Sequence, residues 1–440
     1  MSDFKIAFCI PTYKHPDMIA EFLEQFMLGY IERGIDIYIY DSSSDNETEL
    51  IVKNFQSQTE HLYYIRMPEE VHAGAKIYQI LQKKGLKREY DFVWACGDGI
   101  RYPIKALDIL LPQISLKYDV IHINAMDSEG IGCREYENCN EYFRDCAWHT
   151  TLCGALILNS NTILKDVCWE KYEKNFLRDE FLSYPHVCFY FNRFLELPRF
   201  RAKHISGYYS YTSKMKKRSG WYKDTFKVLA DGWIKIINSL PDCYTDKDEV
   251  IRKLGKYSVL EDESAFLQKR IDGVYNEKIY IQYEEQLPQI CDVPIEQLKK
   301  IAFMTVGQAE LEMKKWIEKR HQNGLAELSA FLKKYPKILI YGAGLNAKRY
   351  AKVFNAENIS YEGFCVSQKK AFENKLMGHQ IYAVEELEND LKSYGIYLAL
   401  NVENRKQVRS FLQKKGLSDQ LFFSEELDKY VCVLSRDEDV

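Results

Sequence analysis

The chain has 440 residues, with 60 Lys and Arg against 64 Asp and Glu and a formal net charge of −4. One hydrophobic core stops growing near about 250–300 residues, so this length predicts two or more domains. An apolar content of 46% and a charged content of 28% are those of a globular protein, and the slightly acidic balance excludes the basic character of a nucleic-acid binder.

Residues 1–18 show no basic flank leading into a long apolar stretch, which predicts no signal peptide. No run of about 18 consecutive apolar residues occurs, so no membrane-crossing helix is expected either. Twelve Cys in such a chain read as reduced thiols of a cytoplasmic protein. Cys133, Cys139, Cys146 and Cys153 cluster, but six- or seven-residue spacing without a C-x-x-C pair favours buried thiols over zinc.

Residues 4–10 form an apolar run that Pro11-Thr12 ends, a buried strand entering a loop. His15-Pro16-Asp17 opens a helix with Pro in its first turn, and Gly34 stops it. A second strand spans 35–40 and ends at Asp41. A polar turn over 42–48 leads to a helix over 49–55, a strand over 62–65 and a helix over 75–83. A fourth strand, 92–95, ends in Cys96-Gly97-Asp98-Gly99. This alternation predicts a parallel sheet covered by helices. Such sheets bind ligands at the carboxyl ends of their strands, and Thr12, Asp41 and Asp98 all fall there. Further strands are expected over 119–125 and 152–158, then a charged helical stretch. After Pro336, a strand over 337–341 runs into Gly342-Ala343-Gly344-Leu345-Asn346-Ala347 and a helix, with strands over 361–366 and 396–400. The predicted domains are 1–212, 213–334 and 335–440.

Residues 4–210 resemble the GT-A glycosyltransferases of the family 2 type. The resemblance rests on Pro11-Thr12-Tyr13 after the first strand, Asp41 after the second, the His72–Lys76 segment, and Gly97-Asp98-Gly99 where that family carries its D-x-D motif. It implies an α/β GT-A domain that binds a nucleotide-sugar, most simply a UDP-sugar. Pro11, Thr12 and Tyr13 would open the nucleotide pocket, Asp41 would accept from the base, and Lys76 would lie near base or diphosphate. Asp98 would hold Mg²⁺ or Mn²⁺ against the phosphates. Gly99 replaces the family's second acid. A further ligand such as His204 is therefore needed, or Arg101 or Lys76 supplies part of the missing positive charge. Taken alone, Gly97-Asp98-Gly99 is equally a plain turn after a strand.

An inverting transfer also needs a base for the acceptor hydroxyl. The resemblance places an acidic pair downstream of a glycine-bearing loop, which Gly154 could mark. Asp179 and Glu180 lie at a suitable distance, although Arg178-Asp179-Glu180 also reads as an exposed helix start. His186 is the rival base. In the last domain, Gly342-x-Gly344-x-x-Ala347 has the strand–turn–helix context of a dinucleotide site, yet 364–368 (FCVSQ) offers no ribose-binding acid. That unit resembles the Rossmann-like modules appended to some bacterial sugar-transfer enzymes. The basic run Lys214–Arg218 is either a solvated loop or a contact for an acceptor diphosphate or an anionic membrane face.

The expected function is transfer of a sugar, with inversion, from a nucleotide donor to a lipid-linked or protein-linked glycan in surface polysaccharide or glycoconjugate synthesis. The expected partners are the donor and the glycan, with peripheral membrane association and homo-oligomer formation left open. The alternatives are a non-catalytic partner subunit of another glycosyltransferase, and a nucleotidyltransferase or nicotinamide-dependent enzyme working through the last domain.

Overall fold

The computed structural model describes residues 4–68, 71–124, 132–206, 210–213, 221–257, 259–367, 374–387, 390–400 and 402–435. The chain divides into two compact units, one running to Val306 and one from Gly307 onward. Among the described residues no helix is long and apolar enough to cross a membrane.

The first unit is built on β1 (Ile6–Thr12), β2 (Ile35–Asp41), β3 (Leu62–Arg66), β4 (Phe92–Ala95), β5 (Ile100–Arg101), β6 (Val120–Ile123), β7 (Arg134–Tyr136), β8 (Leu156–Asn159), β9 (Ala202–Ile205) and β10 (Tyr211–Thr212). Its main sheet has the order β3-β2-β1-β4-β8-β6-β9-β7. β1 pairs in parallel with β2 and β4. β8 is antiparallel to both β4 and β6, and β9 runs parallel to β6. The carboxyl ends of β1, β2, β4, β6 and β9 therefore share one edge of the sheet. β1 and β2 are buried on both faces and mostly apolar, as strands covered by helices on both sides are.

Seven helices of this unit bear on the site: α1 (Pro16–Ile31), α2 (Glu47–Gln56), α3 (Ala73–Leu81), α4 (Ile104–Leu110), α5 (Cys139–Cys146), α6 (Trp169–Phe176) and α7 (Pro185–Glu196). α1 carries Pro in its first turn and buries Ile19, Phe22, Leu23, Phe26 and Tyr30, a stripe of helical period. These side chains join Phe8, Ile37, Trp94 and Ile121 in the main core. Pro16 fixes the helix start, as expected from His15-Pro16-Asp17. The 152–158 strand is shorter than expected. Leu152–Ala155 forms a turn, with Gly154 at φ 119°, and pairing starts only at Leu156. From Tyr222 to Phe303 the chain is helical and belongs to the first unit. Its Tyr244 hydroxyl donates to Phe191 O of α7 at 2.6 Å.

From Gly307 the second unit takes in the rest of the long helix Val306–Lys334 and continues as a six-stranded sheet. Its central strand Ile338–Tyr341 pairs in parallel with Gly363–Val366 and Gly395–Leu398. Gly342 follows at φ 118°, a backbone shape that favours glycine, and helix Leu345–Ala356 starts after Gly344. At the end of the next strand, where a ribose-binding acid would stand, Ser367 Oγ lies 2.6 Å from Tyr341 Oη.

Candidate functional site

The site grows from strand register. Thr12 lies opposite Asp41 in the β1–β2 ladder, and Cys9 lies opposite Ala95 in the β1–β4 ladder. Three strand ends therefore meet, and the loops after β1 and β4 touch. Thr12 Oγ1 donates to Asp98 Oδ2 at 3.0 Å, and His15 Nδ1 lies 2.7 Å from the same oxygen. Asp98 Oδ1 has no hydrogen-bond partner among the described residues. The His15 ring is 48% exposed and the Asp98 side chain 14%, so this carboxylate reaches the surface.

Lys76 comes from α3. The 72–76 segment was expected ahead of a helix; it instead forms the helix start. His72 caps it, its Nδ1 accepting from Gly74 N at 3.1 Å. Lys76 thus stands in the first turn and points at the strand ends, where its Nζ donates to Thr12 O at 2.7 Å. The side chain is almost fully buried. Burial lowers the ammonium pKa, Asp98 and Asp41 pull it back up, and the result is about 8. One buried cation therefore senses both carboxylates. Its charge also lies 5.5 Å from the centre of the half-buried Tyr13 ring.

Asp41 is fully buried. Its Oδ1 accepts from Ser43 N at 2.9 Å and Ser43 Oγ at 2.6 Å, and its Oδ2 from Tyr64 Oη at 2.8 Å. Arg66 Nη1 is 3.5 Å from Oδ2. In this arrangement Asp41 clasps the loop after β2 and presents no surface to a base. Arg101, expected to replace metal charge, is 1% exposed and engaged as a brace. It donates to Asp98 O at 2.5 Å, to Met18 O at 2.8 Å and to Glu21 Oε2 at 2.8 Å. It fixes the 97–101 turn against α1 rather than facing a ligand. Ser213 N, donating to Gly99 O at 2.8 Å, holds the other side of that turn.

His204 does not join Asp98. It lies buried on β9 with His122 and His149, the one group among the described residues whose side chains could together hold a metal ion. Burial pushes the imidazoles of His122 and His149 down, the latter to about 3. Of the clustered cysteines Cys146 is buried, Cys133 is exposed, and Cys139 and Cys153 are half-buried.

The base candidates separate by environment. Asp179 and Glu180 are exposed in a turn after α6, and Glu180 pairs with Arg178 at 2.6 Å. That turn approaches α3: a Cβ on Gly74 would stand 2.5 Å from Pro185 Cγ and 2.9 Å from Leu182 O. His186 is buried at the start of α7, in a narrow cleft with Ala95, Cys153, Gly154 and Tyr190. Burial lowers its pKa to about 4, so the ring is uncharged at neutral pH and too weak a base to match that range. Lys214–Arg218 lies outside the described residues.

His15, Ser43, Tyr64 and Glu21 complete the arrangement without having been predicted. His15 carried a signal, since it stands three residues beyond Thr12 in the same loop. Tyr64 and Glu21 carried none, because only tertiary packing aims them.

No protein-family model and no curated protein matches the chain. Among solved structures it is similar to S. aureus TarS 1-349, at 14% identity over 68% of this chain and 90% of that one, with a TM-score of 0.41. It is also similar to the mannosyltransferase PcManGT from Pyrobaculum calidifontis in complex with GDP-Man and Mn²⁺, at 11% identity, 65% and 80% coverage and a TM-score of 0.35. A third likeness is to glucosyl-3-phosphoglycerate synthase from Mycobacterium tuberculosis in complex with Mn²⁺, UDP and glucosyl-3-phosphoglycerate, at 11% identity, 55% and 82% coverage and a TM-score of 0.35. At these identities and TM-scores they are likenesses only.

Proposed function

We propose that the chain is a glycosyltransferase that moves a sugar from a nucleoside-diphosphate donor, a UDP-sugar in the simplest case, to a glycan acceptor with inversion. The observation that carries this reading is the buried Lys76 ammonium, which donates to Thr12 O at the carboxyl edge of the sheet and feels the charges of both Asp98 and Asp41. A leaving diphosphate gains negative charge as the glycosidic bond breaks, and a preorganised cation at that point stabilises it. Lys76 supplies such a charge. Thr12 and His15 orient the Asp98 carboxylate through Oδ2 and leave Oδ1 available.

A divalent cation fits this set. Mg²⁺ and Mn²⁺ need only one or two protein carboxylates when substrate phosphates complete the shell, and Asp98 with the Thr12 hydroxyl would hold it. When bound, the ion would neutralise diphosphate charge. Asp179 or Glu180 would take the acceptor proton, which His186, with a pKa of about 4, is poorly matched to do. The acceptor would be a lipid-linked or protein-linked glycan.

Asp98→Asn preserves shape while removing the charge. It is expected to lower nucleotide release from UDP-, GDP-, CDP- and dTDP-sugars about 100-fold or more, with an unchanged circular dichroism spectrum. Wild-type turnover by this variant would remove the assigned site. Calorimetry with UDP, with and without Mn²⁺, separates an enzyme from a non-catalytic partner subunit: glycan binding without metal-enhanced nucleotide binding would favour the subunit.

A further inference from the structure

His122, His149 and His204 converge from three parts of the chain. His122 stands on β6 directly opposite His204 in the parallel β6–β9 ladder, so both rings emerge on one face. His149 comes from the short helical turn Ala147–Thr151 after α5. The ring centres of His149 and His204 lie 4.8 and 5.1 Å from that of His122. All three residues are buried, at 2% exposure or less. Three imidazoles withdrawn together from water need a shared partner or a network.

The surroundings set the ring nitrogens. His204 Nδ1 is 3.2 Å from Gly132 O. A carbonyl only accepts, so this nitrogen carries the hydrogen and Nε2 carries the lone pair. His122 Nδ1 is 3.0 Å from Tyr142 Oη. A tyrosine hydroxyl can accept Nδ1–H, which leaves a lone pair on His122 Nε2 as well. An imidazole whose far N–H is held by a carbonyl or another oxygen is the usual arrangement of a metal-ligating histidine. His122 Nε2 and His149 Nδ1 lie 3.0 Å apart, a hydrogen bond in which His149 Nδ1–H donates to that lone pair. A bound cation would take the place of this hydrogen, which moves to His149 Nε2 or to solvent. The ligand atoms of all three residues lie within 4.8 Å of one another. Metal–nitrogen bonds of about 2.0–2.1 Å in a tetrahedral shell put nitrogen pairs about 3.4 Å apart, so modest side-chain movement closes the set.

We infer that His122, His149 and His204 form a cation site for a borderline first-row metal such as Zn²⁺, which ties β6, β9 and the 147–151 turn together. Three neutral nitrogens suit zinc, copper, nickel or iron. They do not suit Mg²⁺, which prefers oxygen. The site is therefore chemically distinct from the carboxylate that would serve a diphosphate. Its location links it to the loop beside Asp98, because the 147–151 turn leads straight to Cys153, whose carbonyl accepts from Gly97 N at 3.3 Å.

The test uses the full chain, stripped with a chelator and titrated with Zn²⁺ alone and, in parallel, with Co²⁺ alone. The expected result is uptake of one equivalent with a raised melting temperature. The Co²⁺ form should show the d–d bands of a four-coordinate ion without a thiolate charge-transfer band. His204→Gln and His149→Gln should lose both uptake and the thermal shift, and Tyr142→Phe should bind about tenfold more weakly. Absence of uptake by the wild-type chain would overturn the inference, as would thiolate bands in the Co²⁺ spectrum or undiminished binding by His204→Gln. Should the histidine variants fail to fold, the wild-type Co²⁺ spectrum decides alone.

Discussion

Lys76 shows how one side chain acquires a role from its surroundings. An exposed lysine holds its proton to about pH 10.4, whereas burial brings this one to about 8. The sign follows directly: the ammonium is present below pH 8 and lost above it. Affinity for UDP is therefore expected to fall as pH rises from 7 to 9, and Lys76→Met should abolish this slope while weakening binding about tenfold, measured by calorimetry. Arg101 is the counter-example. Its guanidinium is an equally permanent charge, yet it is used up on Met18 O, Asp98 O and Glu21. Sequence proximity to Asp98 suggested a ligand contact. The geometry makes Arg101 a brace because its long stem turns inward under α1.

At the scale of elements, the close approach of α3 to the 182–185 segment sets where Lys76 can stand. Gly74 makes that approach possible, since a Cβ there would meet Pro185 Cγ at 2.5 Å and Leu182 O at 2.9 Å. Gly74→Ala is expected to destabilise the chain by about 1–3 kcal/mol, as overpacking does, and to weaken UDP binding by shifting the first turn of α3. Denaturant unfolding and calorimetry check the two effects. The elements around this helix were legible in sequence. The parallel strands read as unbroken apolar runs, and α1 announced itself through Pro16 and a helical stripe. The start of α3 was not legible, because His72 caps it without being a common capping residue. The 152–155 turn was missed for a similar reason: its apolar residues look like strand, while Gly154, at positive φ, sits in a turn that delays pairing until Leu156.

For the whole molecule, buried histidines link stability to pH. His186 has a folded pKa of about 4 against 6.5 in a free side chain. Between those values the unfolded chain binds a proton that the folded chain does not. Stability is then full above about pH 6.5 and is lost as pH falls towards 4. Melting temperatures are expected to drop over that window, and His186→Gln should flatten the drop, which calorimetric scans from pH 7 to 4 would show. The division into two compact units falls at Val306, inside the stretch that composition alone marked as one charged helical region. Charge and helical period do not reveal which core a helix joins.

Local pattern was enough to set the α/β class, the succession of the early strands along the chain and the edge on which Thr12, Asp41 and Asp98 gather, because strand and helix periods are written residue by residue and a parallel sheet aligns its strand ends. Folding alone decided which of those groups stays open to a ligand. Asp41 is sealed by Ser43 and Tyr64, Arg101 is turned inward, and His204 stands with His122 and His149. Such outcomes depend on side chains far apart in sequence that meet only when distant elements pack.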